Sequence, residues 1–106
     1  MMLTVFRTTM KPGFEAAEAE RLGARMYEIA TAMPGFVSYR EFSGVDGESV
    51  ALVEFETADA LAAWRNHPEH VEAQRIGRER LFSAYRVQVC VVERDYAFDA
   101  APQPAV

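Results

Sequence analysis

An Asp-Gly pair between two strand-like segments constrains the fold of this 106-residue chain more than any other feature. The pair is Asp46-Gly47, and the segments that flank it, 36–42 and 49–55, are rich in β-branched and aromatic residues. Asp-Gly is typical of a tight two-residue turn whose twist matches that of paired strands. The two segments are therefore predicted to form an antiparallel hairpin.

The residues before the hairpin change from a strand period to a helix period. Residues 2–9 are rich in β-branched and aromatic side chains and run into the Pro-Gly pair at 12–13, which predicts a first strand closed by a turn. Apolar residues then recur at three- and four-residue steps from Phe14 to Met33. This spacing predicts an amphipathic helix that ends at the Pro-Gly pair at 34–35.

The residues after the hairpin predict a broken helical region and a last strand. Thr57 is a plausible cap for a short helix that runs to Trp64, and a second helical segment begins at Pro68, a residue favoured at the first helical position. The last strand runs from Tyr85 to about Asp95. The order is βαββαβ, which predicts the α+β class with a ferredoxin-like antiparallel sheet and helices on one face.

The apolar character of two strands predicts a homodimer. The strands of a sheet with one solvent-exposed face alternate apolar and polar residues. In segments 50–53 and 87–92, by contrast, nearly all residues are apolar, so both faces of these strands are apolar. The chain has no spare helix to cover the second face. A second copy of the same sheet is the economical cover, in a symmetric dimer.

Composition narrows the class of protein and its partners. The net charge is −5 and the basic residues are scattered, which argues against nucleic acid as a partner. Arg7 interrupts the apolar stretch at the start of the chain before it is long enough for the core of a signal peptide, and no apolar run has the length of a membrane span. A cytoplasmic protein without membrane attachment is therefore expected. The predicted organisation is one domain at 1–96 and a flexible Pro- and Ala-containing tail at 97–106. Cys90 is expected to be a buried strand residue without chemistry.

The segment from Trp64 to His70 gathers the only tryptophan and both histidines. Histidine titrates near neutral pH, so this junction is the predicted site of any proton transfer. His70, Gln74 and Arg78 are spaced to share one helical stripe, which would line a cavity if it faces the sheet. His67 lies at the helix start and no third ligand cluster is near, so no metal site is predicted.

Three segments resemble the antibiotic biosynthesis monooxygenase (ABM) domain of the dimeric α/β-barrel superfamily. They are 33–39, 53–70 and 77–89, and the resemblance covers about residues 3–95. It implies a homodimer whose two sheets meet to form a barrel, with a small-molecule cavity in each subunit between sheet and helices.

The resemblance implies several activities rather than one. Similar proteins oxidise polyketide quinol precursors with dioxygen and no cofactor, open haem, act on signalling molecules, or have no known substrate. Trp64 matches a tryptophan of the family. Gln74 stands where haem-degrading members place their haem ligand, so a haem role needs His67 or His70 as substitute. Ala60 stands where the quinol oxidases have an asparagine.

The expected function is that of a cofactor-independent monooxygenase acting on a small aromatic or quinol-type substrate. The alternatives are a non-catalytic ligand-binding or stress-associated dimer and a haem-degrading monooxygenase. His70 would take the phenolic proton of the substrate, unless it is a solvated surface histidine. Trp64 and His67 are the other catalytic candidates, although packing between helix and sheet is the commoner role for such a tryptophan and a helix-start signal the commoner role for such a histidine. The expected substrate-binding residues are Tyr39, Arg40, Gln74, Arg78 and Tyr85.

Overall fold

The computed structural model describes residues 1–100 of the chain. Its elements are β1 (Met2–Met10), α1 (Ala16–Ala32), β2 (Phe36–Ser43), β3 (Ser49–Phe55), α2 (Ala58–Arg65), α3 (Pro68–Ile76), a π turn (Gly77–Leu81) and β4 (Phe82–Val91). The strands form one antiparallel sheet in the order β2-β3-β1-β4. This architecture confirms the predicted α+β, ferredoxin-like fold. The sheet is open within one chain, and the two-chain barrel stays a prediction.

The hairpin between β2 and β3 turns at the predicted Asp-Gly pair. Gly47 has φ 85°, a backbone conformation that favours glycine. The Gly44 N–H donates to the Glu48 carbonyl at 2.7 Å, and the Glu48 N–H donates to the Asp46 carboxylate at 3.0 Å. The turn therefore satisfies its own backbone groups and fixes the pairing of β2 with β3.

Gly35 joins the end of α1 to the start of β2 and touches α2. Its φ is 83°, and a Cβ added there would lie 2.8 Å from the Cβ of Ala60. Its carbonyl accepts a hydrogen bond from the Glu56 N–H at 2.8 Å. Glycine is therefore required both for the backbone conformation and for the close approach of α2.

The helical region after β3 is broken into two short helices by separate caps. The Thr57 hydroxyl accepts a hydrogen bond from the Ala60 N–H at 3.1 Å, and the His67 Nδ1 accepts one from the Glu69 N–H at 3.1 Å. Pro68 takes the first position of α3. The break brings His70, in the first turn of α3, into contact with Trp64 at the end of α2.

The core lies between one face of the sheet and the helices. It consists of Ile29, Ala30, Ala51, Val53, Phe55, Leu61 and Trp64. The buried residues of α1 are both in its last turns, Ile29 and Ala30. The N-terminal half of α1 therefore lies over the sheet without a packed core beneath it.

The last strand differs from its predicted bounds. It begins at Phe82 rather than Tyr85, because the π turn ends α3 and leads directly into the sheet, and it ends at Val91 rather than near Asp95. Residues 97–100 of the predicted tail form no helix or strand, and the rest of that tail lies outside the described residues. Within residues 1–100, no helix has the length and apolar character that crossing a membrane requires.

Candidate functional site

A cavity of about 1130 Å³ lies between the sheet and the N-terminal half of α1. Its floor is the face of the sheet that presents Thr4 and Phe6 from β1 and Val87 from β4. Its roof includes Leu22 and Gly23 of α1. A Cβ added at Gly23 would meet no atom within 4 Å, so the space below α1 is open at this point.

Three buried polar atoms on residues that line this cavity have no hydrogen-bond partner among residues 1–100. They are Thr4 Oγ1, Trp64 Nε1 and His70 Nδ1, and all three residues line the cavity. Leaving a buried polar group without a partner costs about 1–3 kcal/mol, and native proteins contain few such groups. We call these three atoms the polar pole of the cavity. All three belong to residues that line one cavity, so a ligand bound there can supply the missing hydrogen bonds.

The two rings of the polar pole are in contact. The indole of Trp64 and the imidazole of His70 lie edge to face with centroids 4.5 Å apart. Phe55 and Tyr39 surround the indole at 5.6 Å and 6.2 Å. Trp64 is 6% exposed and belongs to the core, so it packs between helix and sheet and lines the cavity as well.

The environment of His70 favours the neutral imidazole. Burial lowers the pKa of His70 below its ordinary value of 6.5, the nearby charge of His67 lowers that pKa further, and a hydrogen bond with the backbone of Arg65 opposes the shift without reversing it. A neutral imidazole accepts a proton on its unprotonated nitrogen. His70 therefore meets the chemical requirement for a general base at neutral pH.

Tyr39 supplies a phenol that stays protonated. Burial raises the pKa of Tyr39 to about 12, with a smaller contribution from the negative charge of Glu41. Its ring lies edge to face with Tyr27 at 5.3 Å. Tyr39 lines the cavity and can donate a hydrogen bond to a ligand oxygen at any pH near neutrality.

Five of the eight residues predicted for the site line the cavity. They are Tyr39, Trp64, His70, Gln74 and Tyr85. The cavity lining does not include Arg40, His67 or Arg78. Each of these three departs from the expected position for a separate physical reason.

Arg40 lies on the helix-free face of the sheet. It follows Tyr39 in β2, and successive strand side chains point to opposite faces. Arg40 borders a shallow groove with Leu52 and Glu54, and its guanidinium lies over the ring of Phe42 at 5.3 Å. Its expected contact with a ligand in the cavity is therefore not formed.

His67 and Arg78 lie at the two ends of α3. The Nδ1 of His67 caps the helix, which is the structural alternative considered for this residue. Arg78 lies in the π turn, whose wider spacing carries it off the stripe formed by His70 and Gln74. Arg78 is exposed to solvent.

The sequence reasoning missed Thr4, Phe6 and Phe82 as lining residues. Thr4, Phe6 and Thr8 alternate along β1, and both threonines are buried. Threonines at alternate positions of a strand that also carries apolar residues are a signal of a polar spot on a covered face. Phe82 had no such signal, because its direction depends on an irregularity in β4.

Two surface ion pairs connect α1 to α3 and to the π turn. Arg25 donates to both carboxylate oxygens of Glu69 at 2.6 Å and 2.7 Å, which ties α1 to α3. Arg80 donates to Glu18 at 2.8 Å, which ties the π turn to α1. The N-terminal half of α1 is thus held over the cavity by charged contacts at its rim. Within residues 1–100, no three His, Cys, Asp or Glu side chains converge as metal ligands would.

Comparison with known proteins identifies the family. The family model described as "Antibiotic biosynthesis monooxygenase" matches residues 1–76. "Uncharacterized protein YqjZ" of Bacillus subtilis is 32% identical over 74 residues, which are 70% of this chain and 65% of that protein. The chain thus spans less than two thirds of this relative.

Solved structures share the fold. Rv0793 from Mycobacterium tuberculosis superimposes with a TM-score of 0.77 at 22% identity, covering 91% of this chain and 98% of that one. The N63A mutant of SnoaB, a cofactor-independent oxygenase from Streptomyces nogalater, superimposes with a TM-score of 0.73 at 20% identity, covering 89% and 94%. The family match extends over most of the chain and the fold agrees with it. This chain belongs to the antibiotic biosynthesis monooxygenase family.

Proposed function

We propose that this protein is a cofactor-independent monooxygenase that oxidises a small aromatic or quinol-type substrate with dioxygen. The observation that carries the proposal is the polar pole, in which three residues that line one apolar cavity, Thr4, Trp64 and His70, each hold a buried polar atom without a partner. Family membership and the fold shared with a cofactor-independent oxygenase support the same reaction class.

His70 is the proposed general base. A bound phenol that donates to the imidazole of His70 would lose its proton to that neutral ring, and the resulting phenolate gives an electron to dioxygen more readily than the phenol does. The imidazolium formed in this step stays in contact with the Trp64 ring, whose centroid lies 4.5 Å from that of the imidazole. His70 therefore both creates the reactive anion and holds its proton nearby.

The remaining polar groups would position the substrate. The Trp64 N–H and the Thr4 hydroxyl can each donate to a substrate oxygen, and the protonated Tyr39 phenol is a further donor in the same cavity. Donors fixed before the reaction stabilise developing charge without reorganisation.

The reaction balances without an external reductant. A phenol with a free ring position and one dioxygen yield a quinone and one water: one oxygen atom becomes the new carbonyl, and the other leaves with two hydrogens of the substrate. The substrate supplies all the electrons that reduce dioxygen. Isotopically labelled dioxygen should therefore leave one labelled atom in the quinone and one in water.

The direct test compares two histidine variants in a dioxygen-uptake assay with a simple hydroquinone. His70→Gln removes the base and should lower turnover by about a hundredfold or more. His67→Asn is the matched control, because asparagine caps a helix as well as any residue and His67 is outside the cavity lining. Turnover of His70→Gln within about twofold of the wild type would contradict the role of His70.

The same protein samples separate the alternative functions. Calorimetric binding of aromatic ligands without dioxygen uptake would support the ligand-binding dimer instead of an oxygenase. A saturable haem absorbance band that is lost from His70→Gln would support haem chemistry with His70 as ligand.

We further propose that the protein is a homodimer formed through the helix-free face of the sheet. Leu3, Val5 and Leu52 give this face an apolar centre, to which no helix of residues 1–100 is opposed. A light-scattering mass of two chains is expected. Leu52→Lys should reduce the mass to that of one chain, whereas Val71→Lys, an exposed site on α3, should leave the dimer intact.

A further inference from the structure

Three aromatic side chains that can lose an electron lie in contact between the cavity and the surface. Trp64 is buried and lines the cavity. Its ring centroid lies 6.2 Å from that of Tyr39, and the Tyr39 centroid lies 5.3 Å from that of Tyr27. Tyr27 lies on α1 and is 50% exposed. We call these three residues the aromatic relay, because they form a continuous path of indole and phenol rings from the cavity to solvent.

The other rings in contact with Trp64 do not offer a second path of this kind. They are Phe55, at 5.6 Å, and His70, at 4.5 Å. A phenyl ring and a neutral imidazole are both harder to oxidise than a phenol. Among residues 1–100, Tyr39 is therefore the neighbouring ring that can give an electron to an oxidised Trp64.

Two of the four tyrosines of the chain stand apart from the aromatic relay. Tyr85 lines the cavity, but its ring contacts are with Phe6 and Phe82. Tyr96 lies beyond the end of β4 and is 84% exposed. The chain thus contains two relay tyrosines and two tyrosines that serve as matched controls.

The surroundings of Trp64 favour electron transfer to it once it is oxidised. Its Nε1 has no hydrogen-bond partner among residues 1–100, so no base is placed to take the indole proton when the ring loses an electron. The indole radical cation that keeps this proton is a stronger oxidant at neutral pH than the phenoxyl radical of tyrosine. Electron transfer from a tyrosine to the oxidised Trp64 is therefore favourable.

The two relay tyrosines differ in how easily they release a proton. A phenol loses its proton when it is oxidised, and the burial that raises the pKa of Tyr39 to about 12 also opposes that loss. Tyr27 is half exposed, so its proton can pass directly to water. The unpaired electron is therefore more stable on Tyr27 than on Tyr39.

We propose that Trp64, Tyr39 and Tyr27 form an electron relay that removes oxidising equivalents from the cavity. An organic peroxyl radical formed from dioxygen in the cavity takes one electron from Trp64 and one proton from water, and becomes a hydroperoxide. One electron passes from Tyr27 through Tyr39 to Trp64, and Tyr27 releases its proton to water and becomes a phenoxyl radical. A thiol in solution reduces that radical by giving it one hydrogen atom. This inference goes beyond the proposed function, since it needs an oxidant at Trp64 and not a particular substrate.

The test oxidises Trp64 without any substrate. Trp64 is the only tryptophan of the chain, so a laser flash at the red edge of tryptophan absorption ionises it selectively, and a scavenger removes the ejected electron. Transient absorption should show the indole radical decaying while a tyrosine phenoxyl radical appears at the same rate. That rate should not depend on protein concentration, because the transfer occurs within one molecule.

Two double variants identify the path. Tyr27→Phe combined with Tyr39→Phe should lose the phenoxyl signal, although Tyr85 and Tyr96 remain. Tyr85→Phe combined with Tyr96→Phe is the matched control and should keep both the signal and its rate. Phenylalanine retains the ring at all four positions, so the packing is preserved. A phenoxyl signal that persists in the first double variant, or that is lost from the second, would overturn the inference.

Repeated flashes in the presence of a thiol test whether the relay protects the cavity. The wild type should retain Trp64, measured by fluorescence and by the mass of the peptide that contains it. Tyr27→Phe, which leaves Tyr39 in place, should convert Trp64 to oxygenated products faster than the wild type does. Equal rates of Trp64 loss in the two proteins would overturn the protective role.

Discussion

Gly23 offers a stability test of the open space below α1. It lies in the middle of a helix, where glycine costs about 1 kcal/mol relative to alanine. An added Cβ meets no atom within 4 Å, so alanine would introduce no clash and gain no packing contact. Gly23→Ala should therefore increase the free energy of unfolding by about 0.5–1 kcal/mol.

Urea denaturation and thermal melting would measure this gain. The midpoint of the urea transition should rise while the slope m stays constant, because the surface exposed on unfolding hardly changes. The melting temperature of a domain of this size rises by about 4–8 °C per kcal/mol. Gly13→Ala is the control: its surroundings are equally empty, but its φ is 75°, so alanine there should destabilise the protein.

Loss of stability in Gly23→Ala would refute the reasoning, because it would mean that the space below α1 is filled in solution. Gly23→Leu extends the test to function. The leucine side chain would enter the cavity from the roof while keeping a good helix former in α1. Ligand affinity should then fall although the free energy of unfolding does not.

Other substitutions test the remaining elements by urea denaturation. Gly35→Ala should destabilise the protein by about 1–3 kcal/mol for the positive φ alone, with a further loss from overlap with Ala60. Thr57→Ala should cost about 1 kcal/mol, because the Ala60 N–H loses its cap, and Thr57→Ser should restore it. The lowered pKa of His70 gives a pH dependence: its contribution to stability is fully present above the ordinary value of 6.5 and is lost as the pH falls through the lower folded pKa. His70→Gln should remove this part of the pH dependence.

The fold was predictable because its boundaries are set by local chemistry. The Asp46-Gly47 turn, the end of α1 before Gly35 and the start of α3 at Pro68 each depend on a residue whose backbone preference is strong. The start of β4 was not predictable in this way. The segment from Gly77 to Leu81 contains no proline, and the close approach of Gly77 to the Phe82 ring is a contact that only the folded chain reveals.

The site was predictable where one residue type carries the chemistry. Trp64 and His70 were predicted as site residues because they are rare residue types close together in the sequence, and both line the cavity. Arg40 could not be placed without the parity of β2, which depends on how the strand pairs with β3. The role of Thr4 is equally a property of the assembled site, because its hydroxyl is unpartnered only when the sheet and helices have come together.

The contact between Trp64 and His70 has an optical consequence. Trp64 is the only tryptophan of the chain, and its indole centroid lies 4.5 Å from that of the imidazole. An imidazolium at this distance quenches indole emission more strongly than a neutral imidazole does. All tryptophan fluorescence of the unlabelled protein therefore originates beside the proposed base, and its intensity reports whether that base carries a proton.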